Sequence, residues 1–139
     1  MKTDDKPVRV GTAIILIDDQ NRVLLGKRCG KFMPGVYALP GGKPDFGECP
    51  KKAVIRETKE ETGLKIFDVQ EFTWINNFMP QHDMHYVTLF YVSIIYSGTL
   101  EVKEKDKCEK WDWYSQDKLP NPMWPGLERI LIKYWEENG

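Results

Sequence analysis

The sequence predicts an α/β fold, a sandwich in which a mixed β-sheet lies between helices. Three observations support this. Apolar, β-branched segments recur along the chain as predicted strands, and they outnumber the helical segments. One helix is indicated at residues 50–62, and an amphipathic helix is indicated at the C-terminus. A length of 139 residues fits one domain, which we place at residues 1–139.

The N-terminal part of the chain is predicted to form a β-hairpin. Residues 8–17 are apolar and rich in β-branched side chains, residues 18–21 (DDQN) are typical of a turn, and residues 23–25 continue as a second strand. A short apolar segment at residues 36–39 then ends in Pro-Gly-Gly at residues 40–42, which predicts a sharp break in the backbone.

The rest of the chain is predicted to alternate between helix and strand. Pro50 suits the first turn of a helix that runs to Thr62, and Gly63 suits its C-cap. Residues 69–75 and 87–96 are predicted strands, and a short aromatic strand follows. Apolar residues at helical spacing predict the last helix: Leu127, Ile130, Leu131 and Tyr134.

Composition narrows the classes of partner. The net charge of −1 provides no basic field for a nucleic acid polymer. Three widely separated cysteines form neither a disulfide framework nor a zinc-site spacing, which fits a reducing cytoplasm. The charged N-terminus is unlike a signal peptide, and no apolar run approaches the ~20 residues that span a bilayer. We therefore expect a cytoplasmic protein without membrane contact.

Three carboxylates in the central helix indicate a metal site. Glu57, Glu60 and Glu61 have i, i+3, i+4 spacing, which places them on one helix face where like charges repel. A divalent cation would remove that repulsion, and carboxylate oxygens suit Mg²⁺ or Mn²⁺. The alternative is a solvated charged helix, in which Arg56 and Glu60 form an ordinary i, i+4 pair.

The same segment contains a longer pattern, G-x5-E-x7-R-E-x2-E-E-x-G-L. The pattern is filled by Gly42, Glu48, Arg56, Glu57, Glu60, Glu61, Gly63 and Leu64. It resembles the Nudix box, here residues 42–64, with Thr58 where the family usually has an aliphatic residue. The order of strands over roughly residues 8–138 also resembles a MutT-type Nudix domain.

The resemblance implies roles for the residues of the box. It implies metal ligation by Glu57, Glu60 and Glu61 and by the carbonyl of Gly41. Arg56 cannot lose its proton, so it can hold neighbouring carboxylates ionised and oriented. The loop brings Glu48 close enough to be its partner.

Two further parts of the chain are similar to functional regions of relatives. Many family members place another carboxylate near the metal in the late acidic loop, where Glu104, Asp106 and Glu109 occur. We select Glu109 because it lies nearest the following strand, with Asp106 close behind, although a solvated acidic loop is an equal alternative. Lys27 and Arg28 end the second predicted strand and could contact phosphate, although a solvated strand end is an equal alternative, and Arg28 is preferred for its planar fork of donors.

Trp124 is the candidate for contact with a nucleobase. A loop tryptophan can stack on a base, although it can also pack against the helix end. The segment around it resembles the base-recognition stretch of oxidised-purine nucleotide hydrolases. One branch has two aspartates where this chain has Gly126 and Leu127. The Gly-Leu pair resembles another branch, whose plant and animal members act on several nucleoside triphosphates.

The resemblance implies Mg²⁺-dependent hydrolysis of a nucleoside triphosphate, including oxidised forms such as 8-oxo-dGTP, to the monophosphate and pyrophosphate. One alternative substrate is ADP-ribose, because Pro80 lies sixteen residues after Leu64, near a proline position of ADP-ribose hydrolases. Another alternative is a Nudix module that binds a nucleotide without cleaving it. The expected partner is a nucleotide, and a homodimer is left open.

Overall fold

The computed structural model describes residues 6–138, so residues 1–5 and 139 of the predicted domain lie outside the described residues. The strands in this part of the chain are β1 (Arg9–Leu16), β2 (Val23–Arg28), β3 (Tyr37–Ala38), β4 (Gly41–Gly42), β5 (Lys65–Met79), β6 (Met84–Ser97) and β7 (Cys108–Tyr114). The α-helices are α1 (Pro50–Thr62) and α2 (Leu127–Asn138). Short 3₁₀ helices occupy Pro80–His82 and Gln116–Lys118.

The strands form two sheets. The larger sheet has the order β4-β1-β6-β5, in which β1 and β6 are parallel and the other neighbours are antiparallel. The smaller sheet has the order β3-β2-β7 and is antiparallel. The larger sheet is therefore mixed, as predicted.

The side chains of β1 show how the sheet is covered on both faces. Ile14 belongs to the apolar cluster that contains Val54 of α1, whereas Ile15 belongs to the cluster that contains Leu131 of α2. Successive strand residues point to opposite faces of a sheet, so the two helices cover opposite faces. The predicted α/β/α sandwich is confirmed.

Helix α1 has the predicted ends. Pro50 is its first residue, and Gly63 caps its C-terminus with φ 80° and an N–H bond to the carbonyl of Lys59. Thr58, the departure from the family pattern, is completely buried, and its hydroxyl donates to the carbonyl of Val54 at 2.6 Å. Because its polar atom is satisfied within the helix, threonine is tolerated there.

The predicted hairpin of β1 and β2 is wrong. The turn at residues 18–21 is present and is held by Asp18, whose carboxylate accepts the N–H of Arg22 at 2.8 Å. Beyond one bridge between Ile17 and Val23, however, the two strands separate into different sheets. The break predicted at residues 40–42 contains β4, which pairs with β1.

The outer edge of the larger sheet is β5, and part of its surface is apolar. Trp74 and Phe78, on one face of β5, are each 61% exposed. The sequence leaves a homodimer open, and this surface is where we would test for one. None of the helices within residues 6–138 is long and apolar enough to cross a membrane.

Candidate active site

A cleft of about 400 Å³ lies on the face of the mixed sheet that α2 covers in part. Its floor is formed by strand residues: Gly11, Ala13, Asn77, Tyr86, Thr88 and Phe90. Its walls include both charged and apolar side chains: Arg28, Lys43, Glu57, Glu61, Glu104, Lys107, Trp124 and Leu127. The cleft therefore has a carboxylate end at β4 and α1 and a more apolar end near α2.

Two of the predicted glutamates face the backbone of β4. The N–H of Gly41 donates to Oε1 of Glu61 at 3.1 Å. A Cβ added at Gly42 would lie 2.3 Å from Oε2 of Glu57, so only glycine leaves room for that carboxylate. The structure shows the amide of Gly41 at the site, while ligation by its carbonyl stays a prediction.

Glu57 and Glu61 lie where burial disfavours the ionised form of each carboxyl. Burial raises the pKa of Glu61 to about 8; the Gly41 N–H opposes this shift, while the negative charges of Glu57 and Glu104 add to it. Burial also raises the pKa of Glu57, and Arg56 opposes that shift. Positive charge placed between Glu57 and Glu61 would be strongly stabilised.

Arg56 is directed mainly at the loop before α1. Its Nε and Nη2 each donate to Glu48 at 2.9 Å, a bidentate pair, and Nη2 also donates to the carbonyl of Lys43 at 3.3 Å. These bonds lower the pKa of Glu48 to about 2. The predicted pairing of Arg56 with Glu48 is confirmed, and it fastens the glycine-containing loop to the helix.

Glu60 lies apart from the cleft. Both of its carboxylate oxygens accept from Nη1 of Arg56, at 3.2 and 3.3 Å, and its side chain is half-exposed. It lines a separate open cavity with Lys59 and Lys103. The i, i+4 pair considered as an alternative is thus present, and the predicted metal and catalytic roles of Glu60 would require a different rotamer.

The residues at the carboxylate end fit a hard divalent cation. The donors are oxygens, and burial raises the pKa values of both Glu57 and Glu61, so a cation between the two carboxylates would be stabilised. Within residues 6–138, no three Asp, Glu, His or Cys side chains are already gathered at metal-binding distances. Glu57 and Glu61 would therefore hold the ion together with oxygens from the substrate and water.

The structure places Glu109 outside the cleft. Its carboxylate lies 3.7 Å from Nζ of Lys27, and both groups face solvent. Glu104, half-buried, is the member of the late acidic loop that lines the cleft beside Glu61. Glu109 belongs to β7 itself, whereas Glu104 precedes the turn at residues 105–107, so the carboxylate nearest the strand is not the one at the cleft.

Arg28 and Trp124 lie together in the wall. The Arg28 guanidinium is 5.1 Å from the ring centroid of Trp124 and donates from Nη2 to the carbonyl of Phe32 at 3.1 Å. The Phe32 ring contacts Trp124 edge-on at 6.0 Å. Trp124 is half-buried, so it contributes both to the cleft wall and to packing at the helix end.

Leu127 and Gly126 take different positions. Leu127 lines the cleft and is also part of the core beneath α2. Gly126 has φ 83°, and a Cβ there would lie 3.0 Å from Cδ1 of Ile75 on β5. Gly126 thus lets the segment before α2 pack closely on the sheet, and it is absent from the cleft lining.

Sequence reasoning missed several residues of the floor. Asn77 on β5 pairs with Tyr86 on β6, Thr88 follows two residues along β6, and all three line the cleft. One signal was present: consecutive asparagines are unusual within an apolar strand, so Asn76-Asn77 marked a place where the strand faces something polar.

Comparison with known proteins identifies the class. The family model of the NUDIX domain matches residues 7–134 of this chain. The crystal structure of a MutT NUDIX hydrolase from Burkholderia pseudomallei superposes with a TM-score of 0.85 at 31% identity, covering 92% of this chain and 98% of that one.

Two curated relatives have different names. The ADP-ribose pyrophosphatase of Methanocaldococcus jannaschii is 33% identical over 121 residues, which are 86% of this chain and 69% of that protein. The NAD-capped RNA hydrolase NudC of Pseudomonas aeruginosa is 32% identical over 120 residues, 86% of this chain and 41% of that protein. The chain therefore belongs to the Nudix family. Within it, it is a pyrophosphohydrolase of the MutT type and acts on a nucleotide derivative.

Proposed function

We propose that this enzyme hydrolyses nucleoside triphosphates, including oxidised ones such as 8-oxo-dGTP, to the monophosphate and pyrophosphate. The observation that supports this most is the division of one cleft into two ends. Buried Glu57 and Glu61 lie at one end, and Trp124 and Leu127 lie at the other. A nucleotide matches that division, because its phosphates need cations and its base needs apolar and aromatic contacts.

Mg²⁺, with Mn²⁺ as an alternative, would be held by Glu57 and Glu61. When bound, the ion would neutralise phosphate charge and lower the pKa of water. The chain itself supplies the fixed positions: Glu61 is held by the amide of Gly41, and Glu57 lies against Gly42. Arg56, bound to Glu48, keeps the loop in place without entering the cleft.

Glu104 takes the role that the sequence suggested for Glu109. It is the carboxylate of the late acidic loop that lines the cleft beside Glu61. A carboxylate there can accept a proton from water as the water attacks phosphorus. Lys107 and Arg28, which line the same part of the cleft, are placed to meet phosphate oxygens.

A substrate panel tests the proposal. We expect kcat/KM with Mg²⁺ to be higher for nucleoside triphosphates than for ADP-ribose or a dinucleotide, and pyrophosphate to be a product. Gly126 and Leu127 supply no acidic side chains to select an oxidised base. We therefore expect 8-oxo-dGTP and dGTP to be hydrolysed within about two orders of magnitude of each other. Release of inorganic phosphate alone would contradict the proposal.

ADP-ribose is the second candidate substrate, because the relative from M. jannaschii has that activity in its name and matches most of this chain. Its diphosphate would occupy the same carboxylate end, so the cleft accommodates it in principle. The panel separates the two, since ADP-ribose yields AMP and ribose 5-phosphate without pyrophosphate. A binding module without turnover is the remaining alternative, and any metal-dependent turnover excludes it.

A further inference from the structure

One polar side chain lies on the floor at the apolar end of the cleft. Asn77 is in β5, is 7% exposed and lines the cleft. It is bonded to the segment that contains the base-stacking candidate, because its Nδ2 donates to the carbonyl of Pro125 at 3.1 Å. Trp124 and Leu127, on either side of that segment, line the same cleft.

The bond to Pro125 fixes the orientation of the amide. A backbone carbonyl only accepts hydrogen bonds, so the nitrogen of Asn77 must face it and the oxygen must face away. Oδ1 of Asn77 makes no hydrogen bond to the residues that the structure describes. Within residues 6–138, Nε1 of Trp111 is the one side-chain nitrogen or oxygen that is buried from solvent and has no hydrogen-bond partner. Oδ1 of Asn77 therefore keeps contact with solvent, and the cleft is the space beside it.

The order of strands shows which part of a nucleotide reaches Asn77. Gly41 and Gly42 of β4 lie beside the carboxylates at one edge of the sheet, and Asn77 is on β5 at the other edge. Three strand spacings of about 4.8 Å separate β4 from β5, and Asn77 lies three residues along β5 from Trp74, the position level with Gly42, so the separation is roughly 17 Å. With the phosphates at Glu57 and Glu61, the sugar lies over β1 and β6 and the base approaches β5.

We infer that Asn77 is a specificity-determining residue whose Oδ1 accepts a hydrogen bond from an N–H on the far edge of a purine base, as guanine presents at N1 and at its 2-amino group. This inference rests on the proposed function. An acceptor held by Pro125 inside an apolar pocket favours a base with a donor at that place. The same acceptor disfavours a base that presents an acceptor at that place, because the two acceptors face each other and neither is hydrogen-bonded.

The test compares two substrates that differ in donors. One is dGTP, and the other is the triphosphate of unsubstituted purine deoxyriboside, which has no N–H on that edge. The wild type should prefer dGTP by at least tenfold in kcat/KM. In Asn77→Leu, the preference should fall to within about threefold, because dGTP loses its partner.

Asn76→Leu is the matched control. Asn76 is the neighbour on the opposite face of β5, where its Oδ1 contacts Nε2 of His85 at 2.6 Å. This variant should keep the wild-type preference. Circular dichroism and Tm establish that each variant is folded, and Asn77→Ala replaces Asn77→Leu if the latter is not.

Binding of the two monophosphates, measured by calorimetry without metal, separates the inference from the proposed function. A preference for dGMP that Asn77→Leu abolishes supports the inference even if the wild type hydrolyses no nucleoside triphosphate, which would refute the proposed function alone. The inference is overturned if the wild type shows no preference. It is also overturned if Asn77→Leu keeps the preference, or if it weakens both ligands equally.

Discussion

At the scale of single residues, Glu57 and Glu61 differ from Glu60 in what surrounds them. The first two face β4 and line the cleft, whereas Glu60 is bonded to Arg56 outside the cleft. Sequence spacing alone makes the three equivalent, because i, i+3 and i+4 positions share a helix face. The difference arises from the loop before α1, which brings Arg56 and Glu48 together on one side of that face.

This difference predicts unequal effects of the same substitution. Glu57→Gln and Glu61→Gln each remove a ligand charge and keep the shape, so kcat with Mg²⁺ should fall by about 10³-fold or more. Glu60→Gln, the matched control, should lower kcat by less than about tenfold at saturating Mg²⁺. Steady-state kinetics over a range of Mg²⁺ concentrations measure this. Near-normal turnover in Glu57→Gln and Glu61→Gln would contradict the assignment, and an equally large loss in Glu60→Gln would show that its side chain turns into the cleft.

At the scale of elements, the loop before α1 depends on the pair formed by Arg56 and Glu48. The two parallel N–H bonds hold the loop to α1, and Glu48 also accepts the N–H of Asp45 at 2.9 Å. We expect Arg56→Lys to lower kcat by about tenfold or more although the charge is kept, because an ammonium cannot form the bidentate pair.

A double-mutant cycle checks this expectation. Arg56→Lys and Glu48→Gln should not be additive, since each removes the same pair, and the double variant should be little worse than either single variant. Lys133→Arg in α2 alters an exposed pair with Glu137 and serves as the control without effect on kcat. Additive losses in the cycle would show that Arg56 acts on the site by another route.

The elements also show what sequence reasoning can and cannot provide. The caps of α1 were predictable, because Pro50 and Gly63 act through local backbone geometry. The pairing of β1 was not, since its neighbours in the sheet are β4 and β6. Turn residues at 18–21 signal a reversal of the chain, but they do not determine whether the strands on either side stay paired.

The candidate site also has a part that the sequence predicts and a part that it does not. Glu57 and Glu61 at its carboxylate end were predictable from the spacing within one helix and its preceding loop. Asn77 and Glu104 were not, because Asn77 reaches the cleft through the pairing of β5 with β6 and Glu104 reaches it from the segment between β6 and β7. Such residues have no local pattern, and only the assembled sheet brings them together.

At the scale of the whole molecule, the buried carboxylates connect metal binding to folding stability. In the folded protein the pKa of Glu61 is about 8, above its ordinary value of 4.5, because burial disfavours the ionised form. Between those two pH values the folded state therefore binds more protons than the unfolded state, and stability falls as pH rises through this window. Glu57, whose pKa is also raised by burial, contributes in the same direction.

Thermal unfolding in EDTA should show this dependence. Glu61→Gln cannot ionise, so its Tm should nearly match that of the wild type near pH 4.5, where Glu61 is protonated in the folded state and half protonated in the unfolded state. The Tm of the variant should exceed that of the wild type by about 5 °C or more at pH 8, where most of the cost of ionising the buried carboxyl has accrued. Mg²⁺ at pH 8 should raise the Tm of the wild type, because the ion binds the ionised carboxylates of the folded state. It should raise the Tm of Glu61→Gln much less.

Glu101→Gln, on the exposed loop after β6, is the control for loss of one negative charge and should follow the wild type at every pH. If the difference between Glu61→Gln and the wild type is the same at pH 4.5 and pH 8, Glu61 is not the group that titrates. If Mg²⁺ raises both Tm values equally, the ion binds elsewhere.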